Sequence, residues 1–338
     1  MRIFGRDTAS DLCIVSEIGV NHGGDVSWII NLLPQLKDAG VDAVKLQVFT
    51  PEKYVAKSNQ ERYAFLATRA LSQKAYLEIQ HEASEIGIPL FATPLTEDWV
   101  PFLIENSEVV KVASGDFLFK PIVVPLLESN VKLIFSTGAV SAKELSLFLT
   151  MAREIRGGEN LVNSVALLHC VSAYPPPLLE SNLRAISHLS RLSGLEIGFS
   201  NHFISDSPIF CALALGARIF EIHVTDDRSR NDVRDHQLSR TPKEIKTLNS
   251  ELRDLLRSLQ TPNKQVQASE MPNIPLMRKG IVTKCEIAAG DRFSKENIAY
   301  ARPETDLKAE DYEWIVNKTA SVTIPANTSL RLMHIERS

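Results

Sequence analysis

The stretch DAVKLQVF, residues 42–49, is short and apolar at most positions. An apolar run of strand length is what a parallel strand covered on both faces requires. Segments of the same kind recur at residues 13–18, 89–92, 109–113, 132–135, 165–170, 195–199 and 218–224, and with 43–48 they make eight. Between them, residues 27–39, 72–86, 141–156, 182–192 and 242–259 mix polar and apolar positions at helical spacing. Ser141 with Glu144 has capping-box spacing, and Thr241-Pro242 sets an N-cap residue before a first-turn proline. Eight strand and helix pairs in roughly 260 residues is the count of a (β/α)8, or TIM, barrel. A doubly wound open sheet shares that count, because counting does not show closure.

Beyond residue 259 the pattern changes. Residues 260–276 hold several prolines and polar residues without a period and read as a linker. Residues 277–338 are short-stranded, with turns expected at Gly290-Asp291 and Pro325-Ala326-Asn327, and form a small β-rich module. The expected division is therefore a barrel over 1–259, a linker over 260–276 and a module over 277–338.

Composition narrows the function class. Across 338 residues, 37 Lys and Arg against 41 Asp and Glu give a formal charge of −4. Such a balance argues against a dominant nucleic-acid surface. Cys13, Cys170, Cys211 and Cys285 form no C-x-x-C pair, so neither a zinc knuckle nor a disulfide framework is expected. The first residues lack the apolar core of a signal peptide, and no run reaches the length of a membrane span. A soluble cytoplasmic protein, with neither nucleic acid nor membrane as a partner, is the expectation.

In a barrel of this kind, polar residues at the C-terminal strand ends converge on one mouth, where barrel enzymes work. Here those positions carry Glu17, Asn21 and His22; Lys45 and Gln47; Thr93; Lys111, Ser114 and Asp116; Ser136 and Thr137; His169, Ser172 and Tyr174; Ser200, Asn201 and His202; and Glu221 and His223. Lys45 and Lys111 interrupt apolar strands, and a buried ammonium is costly without a compensating anion. A shared anionic ligand, assisted by hydroxyls and by backbone N–H groups at Ser114-Gly115 and Thr137-Gly138, satisfies them; a nearby carboxylate for each lysine is the alternative. His202 and His223 end consecutive strands, and two neutral imidazoles leave most of an octahedral shell open for substrate oxygens. Ordinary hydrogen bonding is the other use for them. Glu17 and Asp116 are candidate acid/base carboxylates on the same rim.

The segments SEIGVNHGGD (16–25), DAVKLQ (42–47), ATP (92–94), KVASGD (111–116), FSTG (135–138), LLHCVSAYP (167–175), GFSNH (198–202) and EIHVTDD (221–227) together resemble the N-acetylneuraminate (sialic acid) synthase family. The tail from Met277, with RKGIVTKCEIAAGD and NIAYARP, resembles the antifreeze-like, or SAF, domain of those enzymes. The resemblance implies condensation of phosphoenolpyruvate with an amino-sugar aldehyde, N-acetylmannosamine or a diacetamido relative, releasing phosphate. It implies that Lys45, Thr93, Lys111, Ser114, Ser136 and Ser200 hold phosphoenolpyruvate. His202 and His223 would bind a divalent ion, manganese or magnesium, and Glu17 would move a proton. Asp116, Tyr174, Ser172, Asn201 and Asp235 would support catalysis or contact the sugar.

The resemblance also implies a domain-swapped homodimer whose SAF domain covers the partner's barrel, with Arg278 or Lys279 reaching the sugar's acyl group. Several positions depart from the family pattern. Asn201 stands where Asp is common, Ile222 where Lys is common, Gly23 where Asn is common, and the segment VRDH (233–236) where GPDH is usual. Two other readings follow: another phosphoenolpyruvate aldol-type synthase acting on a phosphorylated sugar, and a sugar-binding paralogue with impaired turnover.

Overall fold

The computed structural model describes residues 1–259 and 262–336. Its residues divide into two compact units, Met1–Gln260 and Thr261–Ser338. The first unit opens with a short antiparallel pair, β1 (Arg2–Ile3) and β2 (Arg6–Asp7). Eight parallel strands follow: β3 (Cys13–Gly19), β4 (Ala43–Val48), β5 (Leu90–Pro94), β6 (Val109–Val112), β7 (Lys132–Ser136), β8 (Val165–His169), β9 (Glu196–Asn201) and β10 (Ile219–His223). They pair in chain order, and β10 closes on β3, so the sheet is a closed barrel rather than an open one.

Period-2 alternation along each strand sorts the side chains into two layers. One set, including Ile14, Val44, Val110, Leu133, Leu167, Phe199 and Phe220, points outward and packs against helix residues such as Leu36, Tyr76, Leu103, Phe148 and Leu252. The other set points into the barrel. Its lower part is apolar: Cys13, Val15, Ala43, Phe91, Val109, Ile134, Ala166, Leu168 and Ile219 form one cluster with Ile3 of β1 and with Phe4. The opening β1–β2 pair thus seals the N-terminal end of the barrel with its own apolar side chains.

Surrounding helices start where the sequence places caps. Ser141 and Thr241 each form a full capping box, with Glu144 and Glu244, at the helices Ala142–Arg156 and Pro242–Ser258. Removing such a cap costs about 1 kcal/mol. The second unit has its own core of Ile281, Ile287, Phe293, Ile298, Leu307, Ile315, Ile324 and Leu330. Its paired strands are β11 (Gly280–Thr283) and β12 (Ile298–Ala301), antiparallel. Gly290 and Asn327 both have positive φ, as the turns expected there require. Residues within 260–276, read as linker from their composition, include a 3-10 turn at Met271–Asn273 and the start of a short helix, Ile274–Met277. Among the described residues no helix is long and apolar enough to cross a membrane.

Candidate active site

Above the apolar floor the same inward-facing columns turn polar. Two residues beyond Val15, Ala43, Phe91, Val109 and Ile134 come Glu17, Lys45, Thr93, Lys111 and Ser136. Strand β9 supplies Ser200 on the same parity, with His202 just beyond its end, and β10 supplies Glu221 and His223. All nine line one cavity of about 520 Å3, together with Gln47, Ser114, Ser172, Tyr174 and Asp235. Strand register sets the neighbours: Glu17 lies level with His223 on one side and with Lys45 on the other.

The buried charges form a compact network. Lys45 makes an ion pair with Glu17, lies 3.5 Å from Glu221 and donates to Thr93 Oγ1 at 3.0 Å. Lys111 lies 3.6 Å from Glu221 and donates to Ser136 Oγ at 2.6 Å. Ser200 Oγ donates to Glu221 Oε1 at 2.7 Å, and Gln47 Nε2 donates to Glu17 Oε1 at 2.9 Å. The carboxylate alternative raised by the sequence is therefore realised: Glu17 and Glu221 balance the two lysines within the chain. Glu221 was visible only as a polar strand-end residue, and two strand lysines facing one lumen were the signal for it.

The two lysines are nevertheless unequal. Burial opposes the charge on Lys45, but Glu17 and Glu221 outweigh it and raise its pKa. On Lys111 burial prevails, despite Glu221 and with Lys45 adding repulsion, and the pKa is lowered. Burial would raise Glu221, yet Lys111 and Lys45 hold it far below the usual carboxylate range. Lys111, with half a share of one carboxylate, is the cation in this network with capacity for a further anion.

Beside Lys111 lies a cradle of small groups. Ser114 Oγ accepts from the Gly138 N–H at 3.1 Å and lies 3.4 Å from Cys170 Sγ. A Cβ at Gly138 would come within 2.2 Å of Ser172 Oγ and 2.9 Å of Ser114 Oγ, so only glycine lets these hydroxyls close around the backbone. Thr137, by contrast, spends its hydroxyl on the Leu168 carbonyl at 3.0 Å.

His202 and His223 do meet: their rings are 5.4 Å apart, centre to centre, in an edge arrangement, with Tyr174 4.2 Å from the His202 ring. His202 Nδ1 lies 2.7 Å from the Val171 carbonyl, a contact that requires its proton on Nδ1. Its Nε2 lone pair then faces Ser200 Oγ at 3.3 Å, whose own proton is committed to Glu221. Burial, with His223 nearby, pushes His202 down to about 3, so it is the neutral ligand form. His223 Nδ1 is buried without a hydrogen-bond partner, and its Nε2 is 3.9 Å from Asp235 Oδ2. Two buried imidazoles with uncommitted lone pairs fit a shared divalent ion. Among the described residues, no group of three or more His, Cys, Asp or Glu side chains is arranged to enclose a metal. Such an ion would keep positions open for ligand oxygens and water.

Several sequence candidates and departures lie elsewhere. Asn201, between Ser200 and His202, has the opposite parity; its side chain donates to the Phe203 carbonyl at 2.9 Å and does not line the cavity. Ile222 has the same outward parity between Glu221 and His223 and joins the helix-facing core. These two departures from the family pattern thus sit outside the cavity, so Asn201 does not reach the sugar as the resemblance implied, whereas Val233 and Arg234 of the VRDH segment line it. Asp116 follows β6 in a 3-10 turn, Ser114–Asp116, and does not line the cavity. Burial alone raises it to about 6. His169, also of outward parity, lies 2.8 Å through Nε2 from the Ser181 carbonyl. Arg278 and Lys279 belong to the second unit and are exposed there.

Comparison with known proteins agrees with this architecture. The chain is 30% identical over 322 residues to the N,N'-diacetyllegionaminic acid synthase of Campylobacter jejuni, covering 91% of this chain and 95% of that one. It is 29% identical to the N-acetylneuraminate-9-phosphate synthase of Mus musculus, over 96% and 92% of the two chains. The crystal structure of the N-acetylneuraminic acid (sialic acid) synthetase of Leptospira borgpetersenii superposes with a TM-score of 0.72 at 29% identity, covering 78% of this chain and 90% of that one. The SAF domain profile matches residues 278–336. With the NeuB family profile matching residues 32–264, the chain belongs to the NeuB family of sialic acid synthase-type enzymes.

Proposed function

We propose that this chain is a nonulosonic acid synthase that condenses phosphoenolpyruvate with the open-chain aldehyde of an N-acylated amino sugar. The observation that carries the reading is the juxtaposition, in one barrel mouth, of two buried lysines ringed by hydroxyls and two buried imidazoles, His202 held by its Nδ1 and His223 with an unpartnered Nδ1. The relatives named above act in sialic-type acid synthesis, which is the chemistry such a site suits.

In this reading Lys45 and Lys111, with Thr93, Ser114, Ser136 and Ser200, grip phosphoenolpyruvate at the floor of the cavity, above the apolar plug. A manganese or magnesium ion on His202 and His223 would supply Lewis-acid polarisation of the aldehyde. The sugar lies above, with Tyr174, Ser172 and Asp235 orienting it. The enol carbon, C3, forms the new bond to the aldehyde carbon, and the aldehyde oxygen takes up a proton. Water adds to C2, giving a proton to Glu17, which is fixed by Lys45 and Gln47. The bond from C2 to the bridging phosphate oxygen then breaks as the C2 hydroxyl passes its proton to the departing phosphate, leaving a 2-keto acid and inorganic phosphate, and the proton on Glu17 balances the one the aldehyde oxygen took up. The enzyme is proposed to be cytoplasmic and homodimeric, with Arg278 or Lys279 of the partner's SAF domain reaching the acyl group.

The outward placement of Asn201 and Ile222 supports an active enzyme over an impaired sugar-binding paralogue, since neither departure alters the cavity. The test is phosphate release that requires phosphoenolpyruvate, an N-acylated hexosamine and a divalent ion together. Failure across a panel of such sugars, with bound metal confirmed, would overturn the reading.

A further inference from the structure

The outer wall of the cavity carries two groups that the reaction above does not use. Arg62, on the helix Gln60–Ala67, and Arg234, which opens the 3-10 turn Arg234–Gln237, both line it, as do their chain neighbours Phe65 and Val233. Among the described residues no carboxylate pairs with either guanidinium. Charge within the lining is lopsided as a result. Lys45 and Lys111 are balanced by Glu17 and Glu221 at the floor, which leaves two arginines against Asp235 in the outer part.

Both arginines are presented by anchored elements. The turn bearing Arg234 is tied down by the buried contact of His236 Nδ1 with Thr225 Oγ1 at 2.7 Å and by Ser239 Oγ donating to the Asp235 carbonyl at 2.6 Å. Two residues earlier, Asp232 joins Arg230 at 3.2 Å and Arg69 at 3.8 Å. Leu66 is buried and fixes the helix that carries Arg62. Val233-Arg234 is also where this sequence departs from the GP of the family's GPDH segment.

We infer that the amino sugar carries an anionic group, a phosphate monoester, at the end away from its aldehyde, and that Arg62 and Arg234 bind it. The inference rests on the synthase reading above. With the aldehyde carbon at the enol carbon on the floor, the far carbon of an open-chain hexose points to the outer wall. Phosphoenolpyruvate already fills the floor with negative charge, so a second anion needs cations of its own, and guanidinium is the group suited to a phosphate ester.

The test measures phosphate release by the full-length protein with phosphoenolpyruvate and manganese, using N-acetylmannosamine and its 6-phosphate as alternative acceptors. The 6-phosphate is expected to show a kcat/KM at least tenfold higher. Arg62→Ala and Arg234→Ala are each expected to lower the ratio of the two kcat/KM values at least tenfold, chiefly through KM for the phosphorylated sugar, with partial recovery in the Lys variants. Equal or better use of the free sugar overturns the inference, as do variants that depress both acceptors in proportion, the behaviour of arginines that merely hold a loop or a lid. Turnover of neither sugar, extended to the whole panel above with bound metal confirmed, overturns the synthase reading instead. Calorimetry then decides the inference: wild-type protein binds the 6-phosphate at least tenfold more tightly than the free sugar, or the inference falls.

Discussion

The lower and upper halves of the barrel lumen are built by the same eight strands and the same inward parity, yet their chemistry is opposite. Below, Val15, Ala43, Val109 and Ile134 form a dry plug sealed by Ile3 and Phe4. Two residues along the same columns, Glu17, Lys45, Lys111 and Ser136 replace apolar groups with charge and hydroxyl. Burying charge opposes folding unless partners are close, whereas burying the plug favours it at about 25 cal/mol per Å2 of apolar surface. The lower half therefore holds the barrel together, and the upper half exists for what it binds.

The largest break in this comparison comes from Glu221→Gln. Lys45 keeps Glu17, but Lys111 loses its carboxylate, and orphaning one partner of a buried pair costs about 3 kcal/mol or more. Chemical denaturation reads that loss. Adding Lys111→Met to the same chain is expected to recover stability without recovering activity, which separates the two roles of the network. Lys111→Met alone is expected to lower kcat by about 100-fold, the scale of removing one electrostatic anchor of a transition state. Phosphate release under saturating phosphoenolpyruvate checks it.

The converse experiment is in the plug. Ile134 is level with Lys111 across β6 and β7, but belongs to the apolar cluster. Ile134→Ala is expected to cost about 2 kcal/mol or more in denaturation, through lost burial and a residual cavity, while kcat is largely kept. A loss of kcat as large as that of Lys111→Met would show that the two halves are not separate in function.

Much of this division is legible in the sequence, because it follows from strand parity. Eight apolar runs give the barrel, and alternation within each strand puts Lys45 with Gln47, Ser200 with His202, and Glu221 with His223 on one side. The same count excludes Asn201, Ile222 and His169, which identity and family pattern had drawn toward the site. Closure was not legible, since the β10 to β3 pairing joins residues over 200 positions apart. Nor was the pairing of Glu221 with both lysines, because strand stagger and side-chain reach decide it. Asp116 escaped the parity rule for another reason: it lies past the strand end, in a turn, where alternation no longer applies.

Asp116 also supplies the smallest expected effect, one visible through pH. Its carboxyl is raised by burial from the ordinary 3.8 to about 6, and no charged neighbour contributes to the shift. The folded chain therefore holds a proton there that the unfolded chain releases near pH 4. Between about pH 4 and 6 the folded state binds more protons than the unfolded one, so this group lowers stability as pH rises through that window, and the cost is complete above it. Asp116→Asn mimics the protonated form and carries no such cost. The variant should melt at a higher temperature than wild type at pH 7, by a margin that solvent screening of this part-exposed group keeps small, and the difference should vanish by pH 4. A margin that persists at pH 4 would mean that Asp116 is destabilising through its shape or lost contacts rather than its charge. The polar upper half would then extend its electrostatic cost no further than the residues that line the cavity.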